Sequence, residues 1–274
     1  AHCNFPAYLL PNDEQENDRL DMLHELFLQL MHQKLYLAPI KIPSGLLTSL
    51  LEPAFGLLIL VSLLGSSRHR TRILTHVADL HPQAEVIGCD LSPTQPTLSV
   101  QSKNSDGVTR LTCICRVPPN VKFVVDDIEA EWTYEKNPFD FIHARSLVIS
   151  IRDFGRLIKN AIGITFPHFI LNLSDKTQIS QAWWVGEFQD WDGYPYSEDG
   201  SFNGTDVQKY YDEVYGAFEK AGYECRPGPK LEEWFKDAGF VNIQAKKFQV
   251  PYGVWPKDPR LVSIFPSPFF LSEE

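Results

Sequence analysis

From Asn17 to about Leu35 the apolar residues Leu20, Leu23, Phe27, Leu30 and Met31 recur at three- and four-residue steps, the period of an amphipathic helix. Asn17 is placed to cap it, and Asp18 and Asp21 stand in its first turn, where carboxylates meet unpaired backbone N–H groups. Pro39 and Pro43 in "LYLAPIKIP" end the pattern. Further on the period changes. "AEVIGCDLSPTQP" (84–96) is a short β-prone run that stops at Asp90 and a proline-rich turn. "VKFVVDDIEAEW" (121–132) stops at Asp126 and Asp127, and "FDFIHARSL" (139–147) stops at His143 and Arg145. Apolar runs of this kind, separated by helix-length segments, predict strands of a parallel sheet buried on both faces.

A fourth run, "WWVGEFQDWD" (183–192), ends at Asp190 and Asp192. Thr205 then caps a helix carrying Val207, Tyr210, Tyr211, Val214 and Phe218 on one face. Pro229 starts another, with Leu231, Trp234, Phe235 and Ala238 inward and Gly239 as its stop. "VNIQAKKFQVPYG" (241–253) alternates in part and predicts a half-buried strand. With no internal repeat and no low-complexity linker, one domain over 17–262 is expected, between tails 1–16 and 263–274.

The most apolar stretch, "AFGLLILVSLLGSSRHRTR" (54–72), ends in a burst of arginine. A spanning helix needs ~20 apolar residues. Glu52 and Pro53 break the approach to this one and charge resumes at Arg68, so a buried strand or helix is expected and a membrane span is not.

Composition narrows the function. At 274 residues, 43% apolar and 22% charged, the chain can bury a sizeable core. Its net charge of −10, with a basic cluster only at Arg68, Arg70 and Arg72, excludes a nucleic acid as main partner. Cys3, Cys89, Cys113, Cys115 and Cys225 lack both a disulfide framework and a second pair at zinc-ligand spacing, so an intracellular setting, in cytoplasm or nucleus, without a metal site is expected. The chain does not begin with Met, and its N-terminus is read as possibly incomplete.

Acids at the ends of successive parallel strands suit a nucleoside. One after the second strand can accept hydrogen bonds from both ribose hydroxyls, and one after the third can take an adenine amino group. Asp90 and the Asp126/Asp127 pair have that order. The plainer reading, an Asp that merely opens a turn, stays beside it.

"RLDMLHELFLQLMHQKLYLAPI", "AEVIGCDLSPTQP", "VPPNVKFVVDDIEAEWTY", "FDFIHARSLVISIRDFGRLIKNA", "EFQDWDGYPYSEDG" and "KYYDEVYGAFEKAGYECRPGPKLEEWFKDAGFVNI" together resemble the fungal LaeA-type class I S-adenosylmethionine-dependent methyltransferases. The resemblance implies an α/β fold, a Rossmann-like sheet that is mostly parallel with a C-terminal antiparallel hairpin, and an N-terminal helical extension. It implies S-adenosyl-L-methionine as cofactor, with Asp90 as the ribose acid followed by Leu91, and with Asp126, Asp127 and Ile128 beside adenine. His143 and Arg145 would lie at the mouth after the third of these runs, either lining the pocket or as a capped strand end with the Arg tied to a carboxylate. His143 is the candidate to deprotonate or orient a nucleophile. A small-molecule methyl acceptor is implied, or a regulatory protein partner, and residues 187–204 would help shape its pocket.

One departure matters. The family's first strand leads into a D-x-G-x-G-x-G loop, and this chain, with 16 glycines, has no G-x-G. The stretch 46–76 stands in its place, and 97–115 and 160–182 interrupt the pattern in the same way. Two origins stay open: translated intron or shifted-frame segments, and genuine divergence. Two functions stay open as well. One is an active methyltransferase; the other is an inactive relative acting by contacts, for which Tyr210, Tyr211, Tyr215, Trp234 and Trp255 offer aromatic surface.

Overall fold

The structure, a computed structural model, describes residues 14–40, 56–61, 67–90, 117–132, 139–165, 185–251 and 257. The elements in order are α1 (Glu14–Leu30), β1 (Gly56–Val61), α2 (Ser67–Leu80), β2 (Glu85–Asp90), β3 (Val121–Val125), β4 (Phe141–Arg145), α3 (Phe154–Thr165), β5 (Val185–Gln189), α4 (Asp206–Lys220) and α5 (Leu231–Ala238). The five strands form one sheet in the order β3-β2-β1-β4-β5, every neighbouring pair parallel. This is a Rossmann-like order, and it reverses direction between β1 and β4, the place where open α/β sheets bind ligands.

The apolar run 54–72 is thereby explained. Its Gly56–Val61 piece is the central strand, hydrogen-bonded on both sides, and a new helix begins at Ser67. A central strand of a parallel sheet, paired on both edges, calls for an apolar run, not an alternating one. Among the described residues no helix is long and apolar enough to cross a membrane.

The two faces of the sheet carry different layers. On one, Ile73, Leu74, Val77 and Ala78 of α2 and Leu28 of α1 pack with Val86 and Phe141. On the other, Phe154, Leu157 and Ala161 of α3 pack with Ile87, Cys89, Ile142 and Ala144, and Trp234 of α5 stacks on Phe154 at 5.3 Å. Within β4, therefore, Phe141, His143 and Arg145 face the α1/α2 layer while Ile142 and Ala144 face α3, as the period of two requires.

Several expected boundaries held. Thr205 caps α4 by accepting the Gln208 N–H at 3.2 Å, and Gly239 ends α5 at φ 97°. Others moved. Asn17 does not cap α1, which begins at Glu14 and stops at Leu30; His32 and Gln33, both at positive φ, turn the chain before Leu35. Residues 241–251 form no strand: Val241 and Phe248 are exposed and Asn242 sits at φ 57°, so the partial alternation has no apolar layer to face. On α4, Tyr211, Val214 and Phe218 are half-buried while Val207 and Tyr210 are exposed. The stretch 97–115 and residues 166–182 lie outside the described residues, and 160–165 complete α3.

Candidate functional site

The strand register aligns the carboxyl edge of the sheet. Leu60 lies opposite Cys89, Val61 opposite Arg145, Asp90 opposite Val125, and Arg145 opposite Gln189. The β1 end thus has Asp90 on one side and Arg145 on the other, and the switch between β1 and β4 opens between them.

On the β2/β3 side, Asp90 is 2% exposed and its carbonyl accepts the Asp126 N–H at 3.1 Å. That bond fixes the start of the turn after β3. The Asp126 carboxylate takes the Asp127 N–H and the Asp127 carboxylate takes the Glu129 N–H, both at 2.9 Å. Such turns are what an Asp commonly makes after a strand. Ile128 is buried against the α3 layer, and Leu91 lies outside the described residues. The donor and acceptor chemistry of this side fits a nucleoside: Asp90 supplies a carboxylate for a diol, and half-buried acids follow one strand over.

The β4/β5 side is a buried polar network. Arg145, 2% exposed, donates from Nε to Gln189 Oε1 at 2.7 Å and from Nη2 to the Leu35 carbonyl at 2.6 Å, and Nη1 lies 3.0 Å from His24 Nδ1. Its guanidinium lies over the Phe27 ring at 4.8 Å, and that ring packs on Trp191. Gln189 Nε2 donates onward to Glu187, whose two oxygens accept the Leu37 N–H at 3.0 and 2.8 Å and the Ala38 N–H at 2.6 Å. Burial lowers the Arg145 pKa to about 10, and the Glu187 charge opposes the shift. The Gln189 amide thus stands between the buried Arg145 guanidinium and the half-buried Glu187 carboxylate, accepting from one and donating to the other, which fixes its orientation.

His143 does not lie at the mouth. It sits one pleat below the edge, 3% exposed, and neither ring nitrogen reaches a hydrogen-bond partner. Burial, then the Arg145 charge, hold its pKa well below the ordinary value; the Gln189 side chain opposes this. The ring is therefore neutral and closed off from solvent in this structure. Arg145 is likewise committed to α1 and the segment 35–38 instead of lining an open mouth.

The connection from β4 to α3 is held from both sides. Asp190, after β5, accepts the Leu147 and Val148 N–H groups at 2.9 and 3.2 Å. Glu129 accepts those of Arg152 and Asp153 at 2.9 and 3.0 Å. Ile149 between these anchors and Ser146 just before them adopt φ 55° and 53°, a left-handed backbone that surrounding contacts must enforce in residues other than glycine. Pattern reading missed Glu187, Gln189, His24 and Glu129; the one signal available was two polar residues two apart in an otherwise apolar strand, Glu187 and Gln189. Among the described residues no cluster of His, Cys, Asp and Glu could hold a metal ion.

No protein-family model matches the chain. It is 33% identical over 257 residues to methyltransferase pytC of Aspergillus terreus, covering 93% of this chain and 64% of that protein. It is 27% identical to the secondary metabolism regulator LAE1 of Cochliobolus heterostrophus, over 92% of this chain and 68% of that protein. It is 26% identical to the protein-methionine methyltransferase laeA of Emericella nidulans, over 92% of this chain and 54% of that protein. The chain thus spans between about half and two thirds of the length of these relatives. Among solved structures, a putative methyltransferase of Haloferax volcanii in complex with the Trm112 methyltransferase activator is 12% identical with a TM-score of 0.45, covering 93% of this chain and 89% of that chain.

Proposed function

We propose that this chain, a relative of the fungal pytC and LaeA methyltransferases, is an S-adenosyl-L-methionine-dependent methyltransferase domain acting on a small-molecule or regulatory acceptor. The observation that carries this reading is the ordered set of acids at the carboxyl edge, Asp90 after β2 and Asp126/Asp127 after β3, flanking the switch point of a 3-2-1-4-5 sheet. When bound, the cofactor supplies a methyl group on a positive sulfur. The chain's part is then to hold the nucleoside with Asp90, Asp126 and Asp127, beside Ile128, and to keep the nucleophile aligned in a site closed to water; alignment alone is worth effective molarities up to ~10⁵–10⁸ M in favourable cases. No side-chain base is required for this, which agrees with the enclosure of His143.

The same proposal takes the helical and sheet elements over 17–262 as one methyltransferase-like domain. It locates the protein in cytoplasm or nucleus. Calorimetric titration of S-adenosylhomocysteine into the purified chain, with Asp90→Asn as control, tests it. Micromolar binding lost in the control is expected; a folded wild-type chain that releases no heat sinks the enzyme reading. The absence of any G-x-G favours a second reading in that event, a methyltransferase relative that works by contacts.

A further inference from the structure

The two halves of the carboxyl edge carry different chemistry. The acids that fit a nucleoside lie on the β2/β3 side of β1, whereas Arg145, Gln189 and Glu187 lie on the β4/β5 side, and the bonds of the second set run to α1 and to the segment 35–38. If the nucleoside occupies the first side, the group to be methylated approaches from the second. That side is bounded by backbone with no ladder of its own. Leu35 offers its carbonyl to Arg145, and Leu37 and Ala38 offer consecutive N–H groups to one carboxylate. Two adjacent backbone N–H groups aimed at one anion form a concave donor site of the kind that otherwise binds phosphate or carboxylate ligands. Here the anion is the chain's own.

We infer that Glu187 is a positioning residue. Its carboxylate, seated on the Leu37 and Ala38 N–H groups, holds residues 35–38 as a fixed wall on the acceptor side of the crevice, and Gln189 couples that wall to Arg145 and so to α1. The inference rests on the methyltransferase reading for the word acceptor, and on the hydrogen bonds alone for the wall. Tyr36 pins the same segment separately, its hydroxyl 2.6 Å from His81 Nε2, so losing Glu187 frees part of the wall without releasing it entirely.

Hydrogen exchange by mass spectrometry on the full chain tests this with Glu187→Gln and with the double variant Glu187→Gln, Gln189→Glu. A carboxamide at 187 replaces an acceptor oxygen by a donor facing N–H groups. Exchange over 35–38 then rises about tenfold, the size expected for losing roughly one net hydrogen bond. Protection in β1 and β2 stays unchanged, and S-adenosylhomocysteine affinity stays within about twofold of wild type. The double variant returns a negative charge beside Arg145 but not the paired acceptors, so thermal stability recovers while 35–38 stays fast. Unchanged exchange over 35–38 overturns the inference. So does a loss spread equally through the sheet, and so does restored protection in the double variant, which would reduce Glu187 to charge neutralisation. A wild-type chain that does not bind S-adenosylhomocysteine defeats the methyltransferase reading separately, leaving the exchange result on the wall to be judged by itself.

Discussion

The carboxylate of Asp190 accepts the backbone N–H of Leu147 at 2.9 Å, tying the turn after β5 to the turn after β4 across 43 residues of sequence. The same group takes the N–H groups of Val148 and Trp191, three donors that favour its ionised form. Burial outweighs them and raises its pKa from 3.8 to about 7. Between those two values the folded chain keeps a proton that the unfolded chain has released, so stability falls as pH rises through the window. Asp190→Asn removes that dependence. Urea midpoints at about pH 5 and about pH 8 should differ more in wild type than in the variant, and parallel shifts in the two proteins would refute the assignment.

The contrast between Asp190 and Glu187 shows what the sequence could disclose. Both end or precede the end of an apolar run, and the strands themselves were legible because β2, β4 and the run that became β1 are apolar without alternation, as buried parallel strands must be. The order of acids after β2 and β3 was legible for the same reason. Glu187, however, bonds backbone N–H groups 149 and 150 residues away, and backbone donors leave no trace in residue type. The burial of His143 was not legible either, because position in an apolar run places a residue near the edge without saying which layer covers it. The strand expected at 241–253 failed similarly: alternation licenses a strand only where a second surface exists to bury one face.

Gly88 of β2 is needed for close packing of α2. A Cβ there would lie 2.3 Å from Leu74 Cδ1, and Leu74 is fully buried. Gly88→Ala should cost ~1–3 kcal/mol through overpacking, and Leu74→Ala alone ~2–5 kcal/mol through the cavity it leaves. In the double variant the new methyl partly fills that cavity, so the pair should cost less than the sum. Thermal denaturation of the four proteins measures the coupling, and strict additivity would show that the two residues do not compete for one space.

Arg145 is the most committed side chain at the edge. Arg145→Ala removes the cation near half-buried Glu187 and strips hydrogen-bond partners from Leu35, Gln189 and His24 of the α1 layer. A loss of ~1–3 kcal/mol for each buried partner left without its hydrogen bond is expected. Arg145→Lys keeps the charge but cannot make three directed contacts from one ammonium, so it should rescue only in part. Full rescue by Lys in a denaturant titration would mean that charge alone, without the fork, holds α1 to the sheet.

The missing glycine loop can be probed by dividing the ligand. The family's loop would follow β1, where this chain has no G-x-G, while on the proposed reading Asp90 would hold the ribose half irrespective of what that loop does. Asp90→Asn should therefore weaken adenosine and S-adenosylhomocysteine by the same factor, about 10- to 100-fold for one charged hydrogen-bonding group. The affinity ratio of the two ligands in the wild-type chain reports on the other half. S-adenosylhomocysteine binding far tighter than adenosine means that the chain after β1 grips the amino-acid moiety without the glycines. Equal affinities mean that only the nucleoside is held, and a nucleoside site with no grip on the amino-acid end could not align a methyl group for transfer.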